Sequence, residues 1–227
     1  ERSLPVIALR PCMGIGGRIT NWGEHYGLTV ASATVPHNQN RDTAVIKHGS
    51  DRFTNTVRGY VVPINHDNKV LQFGISGVYA DNNPDYRNGL PNEDGRRFAT
   101  RPEVKARNTP NMVDSGNRLR IKYYTESAFE LSGQNGPLVM GIEYLQASIH
   151  RDFAPNLFFD GWHAQVSYVL TGESRIYKVK TGTYGQIIPK CPYGAFEVAA
   201  RYSMVNLNDE DIHGGKENNV TLALNWI

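Results

Sequence analysis

The chain has no run of about 18 apolar residues, so no segment reads as a membrane-crossing helix. It shows little helical periodicity of any kind. Charge of one sign is not in excess: 24 Lys and Arg stand against 22 Asp and Glu, for a net +2. General attraction to nucleic acid is therefore not expected. There are two cysteines, Cys12 and Cys191. They lie far apart and form no C-x-x-C or zinc pattern, so a disulfide and two unrelated thiols both fit. The seven histidines share no ligand spacing, and neither a metal nor another cofactor is expected. Gly14-Ile15-Gly16-Gly17 is not followed by a helical pattern, which removes a nucleotide-binding loop. No Ser/His/Asp spacing suggests a catalyst, and the chain does not read as an enzyme.

What is present is alternation. In Asp160–Lys178, Trp162, Ala164, Val166, Tyr168 and Leu170 share one face, and Gly161, His163, Gln165, Ser167 and Val169 the other. Near the end, Val220, Leu222, Leu224 and Trp226 oppose Asn219, Thr221, Ala223 and Asn225. Period two is the signature of a strand with one greasy side. It recurs over about ten strands, near 13–22, 26–35, 52–62, 70–80, 96–102, 118–131, 138–149, 160–171, 194–205 and 218–227. Tight turns at 23–25, 65–68 and 133–136 contrast with long polar loops at 36–51, 81–95, 103–117, 150–159, 172–193 and 206–217. Asp209-Glu210-Asp211 reads as a solvated turn.

This pattern fits two architectures. A soluble β-sandwich binding module would bury the greasy rows in a core. An antiparallel outer-membrane β-barrel would turn them to lipid and line a lumen with the polar rows. Strands of about ten residues suit a tilted span, since soluble strands average five or six. Aromatics near strand ends, Tyr26, Tyr79, Tyr144, Trp162, Tyr168, Tyr202 and Trp226, suit an interfacial girdle.

The segments GWHAQVSYVLTGESRIYK, TYGQIIPKCPYGAFEVAARYSMVNLND and GGKENNVTLALNWI, with ERSLPVIALRP, RRFATRPEV and GPLVMGIEYL upstream, resemble the phosphate-selective porins of the O and P type. The resemblance covers most of the chain and is weakest between about 24 and 55. It implies an antiparallel transmembrane β-barrel of sixteen strands in a Gram-negative outer membrane, assembled as a homotrimer. It also implies passive passage of phosphate, polyphosphate or other small anions. With about ten strands covered, residues 1–227 read as a partial barrel domain, lacking N-terminal strands and about two C-terminal ones.

Anion passage needs a wet constriction lined by Arg and Lys, and the planar fork of Arg suits phosphate. If Phe98 faces lipid, Arg97 and Arg101 face inward. If Leu119, Ile121 and Tyr123 face outward, Arg118, Arg120 and Lys122 form an inward row. Arg58 and Arg201 are further lumen candidates. In the basic segment 172–193, which in the resembled family folds back into the lumen, Lys178 and Lys180 are candidates to guide anions. Glu126, Glu130, Glu143 and Glu197 are available to neutralise such charges. A general or carbohydrate-passing porin is therefore the alternative reading.

Overall fold

The computed structural model describes residues 3–9, 15–35, 52–81, 86–87, 90–91, 97–103, 110–116 and 119–227. A short helix, α1 (Leu4–Leu9), precedes the strands β1 (Ile15–Trp22), β2 (Tyr26–Val35), β3 (Arg52–His66) and β4 (Lys69–Asp81). Two small pairs follow, β5 (Tyr86–Arg87) with β6 (Leu90–Pro91) and β7 (Ala99–Thr100) with β8 (Val113–Asp114). Then come β9 (Ile121–Asn135), β10 (Leu138–Arg151) and β11 (Leu157–Val169). A third small pair, β12 (Tyr177–Lys178) with β13 (Thr183–Tyr184), precedes β14 (Phe196–Asp209) and β15 (Ile212–Trp226). The long strands form one open nine-stranded sheet in the order β1-β2-β3-β4-β9-β10-β11-β14-β15. Every neighbouring pair in it is antiparallel.

Local turn chemistry sets one end of the sheet. Asp67 and Asn68 join β3 to β4 with φ of 50° and 57°, the left-handed pair that a two-residue hairpin turn requires. Gly136, at φ 58°, starts the turn from β9 to β10. At this short-turn end only the 170–195 connection is long. The opposite end carries the connections 36–51 and 82–120 and the turns at 152–156 and 210–211.

The two faces differ as the alternation requires. Ile19, Val57, Phe73, Ile75, Phe129, Met140, Ile142, Val166, Val198 and Leu222 point outward, and Leu222 is 78% exposed. Among the described residues, no second large sheet covers them, so the sandwich expectation is not met. The main buried cluster lies on the other, concave side. There Ala80, Tyr124, Ala128, Leu145, Ala147, Ile149, Leu157, Phe159, Val205 and Leu207 pack with Ala8 and Leu9 of α1 and with Phe98, Val113 and Leu119 of the 82–120 insert. Gly161 opens room for α1: a Cβ there would meet Pro5 Cβ and the Met204 carbonyl, both at 2.7 Å.

Several expectations need correction. Of the strand expected over 96–102, the described residues 97–102 are not part of the sheet, because among them only Ala99–Thr100 pair, and they pair with Val113–Asp114. Phe98 does not face outward. It is fully buried against Tyr124 and Phe159, with ring centroids at 5.9 and 5.6 Å. Leu119 and Ile121 are also buried in the inner cluster. Tyr123 does lie outward, against Tyr79, because a bulge at His150/Arg151 shifts the register between Ile121 and Tyr123. One added residue reverses the parity of everything before it. The long loop expected over 206–217 is instead paired strand, since β14 and β15 run on to a tight turn at Glu210-Asp211. Its polar composition hid an alternation that Leu207 and Ile212 carry inward.

The aromatic girdle is partly realised. Tyr26, Tyr168 and Trp226 lie outward at the short-turn end and Tyr79 at the other. Tyr144, Trp162 and Tyr202 meet in mid-strand.

Candidate functional site: the concave face and its inner segment

The concave face from β3 to β15 is polar toward the short-turn end. Its inward positions include Arg58, Tyr60, Gln72, Glu130, Ser132, Gln134, Glu143, His163, Gln165, Arg201, Thr221 and Asn225. Onto this face the 172–193 segment folds inward. Its root is tied by Glu173, a buried carboxylate that accepts from the Thr171 hydroxyl and from the Lys190 amide at 3.1 Å. Those hydrogen bonds hold the Glu173 carboxyl below its usual range.

Wall and segment then exchange a series of hydrogen bonds. Gln134 donates to the Arg175 carbonyl at 2.9 Å, Tyr177 donates to Gln72, and Tyr184 donates to Ser132 at 3.3 Å. Tyr60 donates to the Val179 carbonyl, and Arg58 to the carbonyls of Thr181 and Gly182 at 2.8 and 3.3 Å. Tyr60, Val62 and Val70 pack against Tyr177 and Tyr184, and this burial pushes the Tyr177 hydroxyl above its usual range. Gly182, at φ 58°, lies where a Cβ would meet the Tyr60 ring at 2.9 Å. A close approach in left-handed backbone calls for glycine.

A cleft of about 770 Å³ remains beside the segment, lined in part by Arg58, Arg175, Arg201, Glu130, Glu143 and Glu197. Each of the three arginines has a glutamate partner. Arg58 makes a two-pronged pair with Glu130 at 2.8 and 2.6 Å, and Arg175 meets Glu197 at 2.6 Å. Arg201 lies 3.5 Å from Glu103 of the 82–120 insert. Balanced pairs of this kind shape a wall and orient side chains, and they leave the local field close to neutral.

The expected site residues scatter. Arg58 and Arg201 face the cleft. Lys178 and Lys180 ride on the inner segment, with Lys180 Nζ 4.7 Å over the Trp22 ring, a cation–π contact. Arg97 is off the wall and paired to Asp114 within the insert. Arg101 is exposed just after β7. Arg120 precedes β9 with φ 50°, and Lys122 is exposed beside the bulge. Arg118 lies outside the described residues, as does Cys12; Cys191 is an exposed free thiol.

Arg175, which counted only toward the basic charge of segment 172–193, and Arg18 were not among the expected lumen candidates. Arg175 is the arginine bound to Glu197. Arg18 faces inward from β1, exposed and without an ion pair among the described residues. Its alternation with Thr20 and Trp22, opposite Ile15 and Ile19, was a usable signal.

The family model described as phosphate-selective porin O and P matches residues 1–227. The chain is 29% identical over 167 residues to Porin O of Pseudomonas aeruginosa, a stretch taking in 68% of this chain and 38% of that protein. It is 30% identical over 139 residues to an uncharacterized protein of Caulobacter vibrioides, covering 58% of this chain and 27% of that one. The chain thus spans less than half the length of these curated relatives.

Proposed function

Because the chain belongs to the phosphate-selective porin O and P family, its sheet is antiparallel barrel wall of the outer-membrane porin type, and we propose that it borders a passive channel for small anions, with phosphate or polyphosphate as the preferred class. The observation that carries this reading is the sheet's two-sidedness. Apolar rows stand bare on the convex side, as lipid contact requires, while a basic segment is hydrogen-bonded into the polar concave side. Water on that side keeps ions solvated, and Arg18, Lys178 and Lys180 supply positive charge along it without a described acidic partner. Cations spaced this way attract an anion without trapping it. In this reading residues 1–227 are part of a larger barrel, which closes with further strands and assembles as a homotrimer in a Gram-negative outer membrane.

The test is single-channel recording of the native outer-membrane protein in potassium chloride with phosphate added. Block by phosphate with anion preference supports the reading; cation preference without block overturns it. A general porin is the second reading, favoured by the glutamate partners of Arg58, Arg175 and Arg201. It predicts weak selectivity and no block.

A further inference from the structure

Glu103 belongs to the 82–120 insert, yet its side chain is fully buried at the wall. Its carboxylate accepts from Ser203 Oγ, from Thr221 Oγ1 at 2.7 Å and from the Arg201 guanidinium at 3.5 Å. These three donors are neighbours on the concave face. Arg201 stands opposite Thr221, and Ser203 is the next inward position on β14. Arg201 does not depend on Glu103 for its orientation, because Gln165 Oε1 accepts from its Nε at 3.2 Å and from a terminal nitrogen at 2.9 Å. The donors are therefore assembled by the wall, and the acceptor is brought from elsewhere in the chain.

One guanidinium and two hydroxyls aimed at a common point match the acceptor oxygens of a small oxyanion as well as those of a carboxylate. Arg201 and Thr221 also border the cleft, so a diffusing anion can reach them. Glu217 shares the inward face of β15, two residues from Asn219, the partner of Ser203. When ionised, the Glu217 carboxylate opposes an anion there and favours its release.

We propose that Arg201, Ser203 and Thr221 form an oxyanion-binding cradle whose tethered occupant, the Glu103 carboxylate, is displaced by a small oxyanion such as phosphate. The proposal rests on the anion-channel reading for its physiological cargo. A tethered occupant competes through its high local concentration, so its removal uncovers the cradle.

Two measurements on the full-length porin test this: phosphate block of chloride current, and broadening of the inorganic phosphate resonance by the detergent-solubilised protein. Glu103→Ala is expected to lower the half-blocking phosphate concentration on the order of tenfold and to broaden the resonance. Glu103→Gln, which keeps shape and removes charge, is expected to shift both in the same direction. Adding Arg201→Gln, or Ser203→Ala with Thr221→Val, is expected to abolish the gain. If Glu103→Gln folds to a heat-modifiable barrel and leaves both readouts unchanged, the cradle is overturned. So too if the gain survives Arg201→Gln. A wild-type channel blocked by phosphate, with Glu103 variants indistinguishable from it, sinks the cradle and keeps the channel reading. Cation preference in the wild type, with phosphate binding gained in Glu103→Ala and lost again with Arg201→Gln, does the reverse.

Discussion

Arg58 on β3 and Glu130 on β9, 72 residues apart, are joined by two parallel hydrogen bonds of 2.8 and 2.6 Å. The same guanidinium donates to the carbonyls of Thr181 and Gly182. One side chain thus ties two wall strands to the inner segment. Glu130→Gln removes the charge partner and leaves Arg58 uncompensated. The expected result is a higher anion-to-cation permeability ratio in reversal-potential measurements. Arg58→Gln is expected to lower the ratio and to increase current noise as the segment loosens. Each loss costs about 1.5–3 kcal/mol, the range for hydrogen bonds to charged groups.

The contact of Gly182 with the Tyr60 ring makes a second handle. Gly182→Ala places a Cβ against that ring in left-handed backbone, at about 1–2 kcal/mol for the backbone alone. Tyr60→Phe removes the donor to Val179 and costs about 1 kcal/mol. Limited proteolysis at Lys178 and Lys180 should quicken in both variants, more in Gly182→Ala, while the barrel stays heat-modifiable.

The root of the segment is pH-sensitive in a stated direction. Glu173 has its carboxyl lowered by the Thr171 and Lys190 hydrogen bonds, so the folded state binds its proton more weakly than the unfolded chain does. The stabilisation is fully present above the ordinary glutamate value of about 4.3 and is lost as pH falls through the lowered folded value. Proteolytic opening of residues 172–193 is expected to accelerate on acidification below that range, and Glu173→Gln should remove that acid step.

The two faces should respond oppositely to the same substitution. Ile75 faces outward and is 54% exposed. Ile75→Arg at mid-strand is expected to cost about 2–4 kcal/mol in a bilayer. Thr56 faces the concave side of the adjacent strand, and Thr56→Arg should fold with little loss and shift selectivity toward anions. Urea titration in lipid vesicles measures the first effect and reversal potential the second. Equal tolerance at both positions contradicts the membrane orientation.

The insert provides a control. Phe98→Ala empties a fully buried site between Tyr124 and Phe159, at about 3–5 kcal/mol. Arg97 is already satisfied by Asp114 in the same insert. Arg97→Gln is therefore expected to change phosphate block less than Lys180→Gln, as titration of chloride current would measure.

Strand faces were legible wherever pairing is regular. The outward rows Leu71–Tyr79, Leu138–Tyr144, Trp162–Tyr168, Phe196–Met204 and Val220–Trp226 follow from the residues alone. Legibility failed at Phe98, Leu119 and Ile121. Apolar side chains there looked like lipid contacts, and they are buried against other apolar groups on the concave side instead. A greasy residue does not specify which apolar surroundings will bury it.

The alternation by itself determined that this chain makes long antiparallel strands with one apolar and one polar face, because pleat parity is a property of neighbouring residues. Which arginine meets which glutamate, where a bulge reverses parity, and which segments fold inward were decided only by the tertiary structure. Arg58 with Thr181 and Glu103 with Thr221 are contacts across 123 and 118 residues, and no local pattern encodes a distance of that kind.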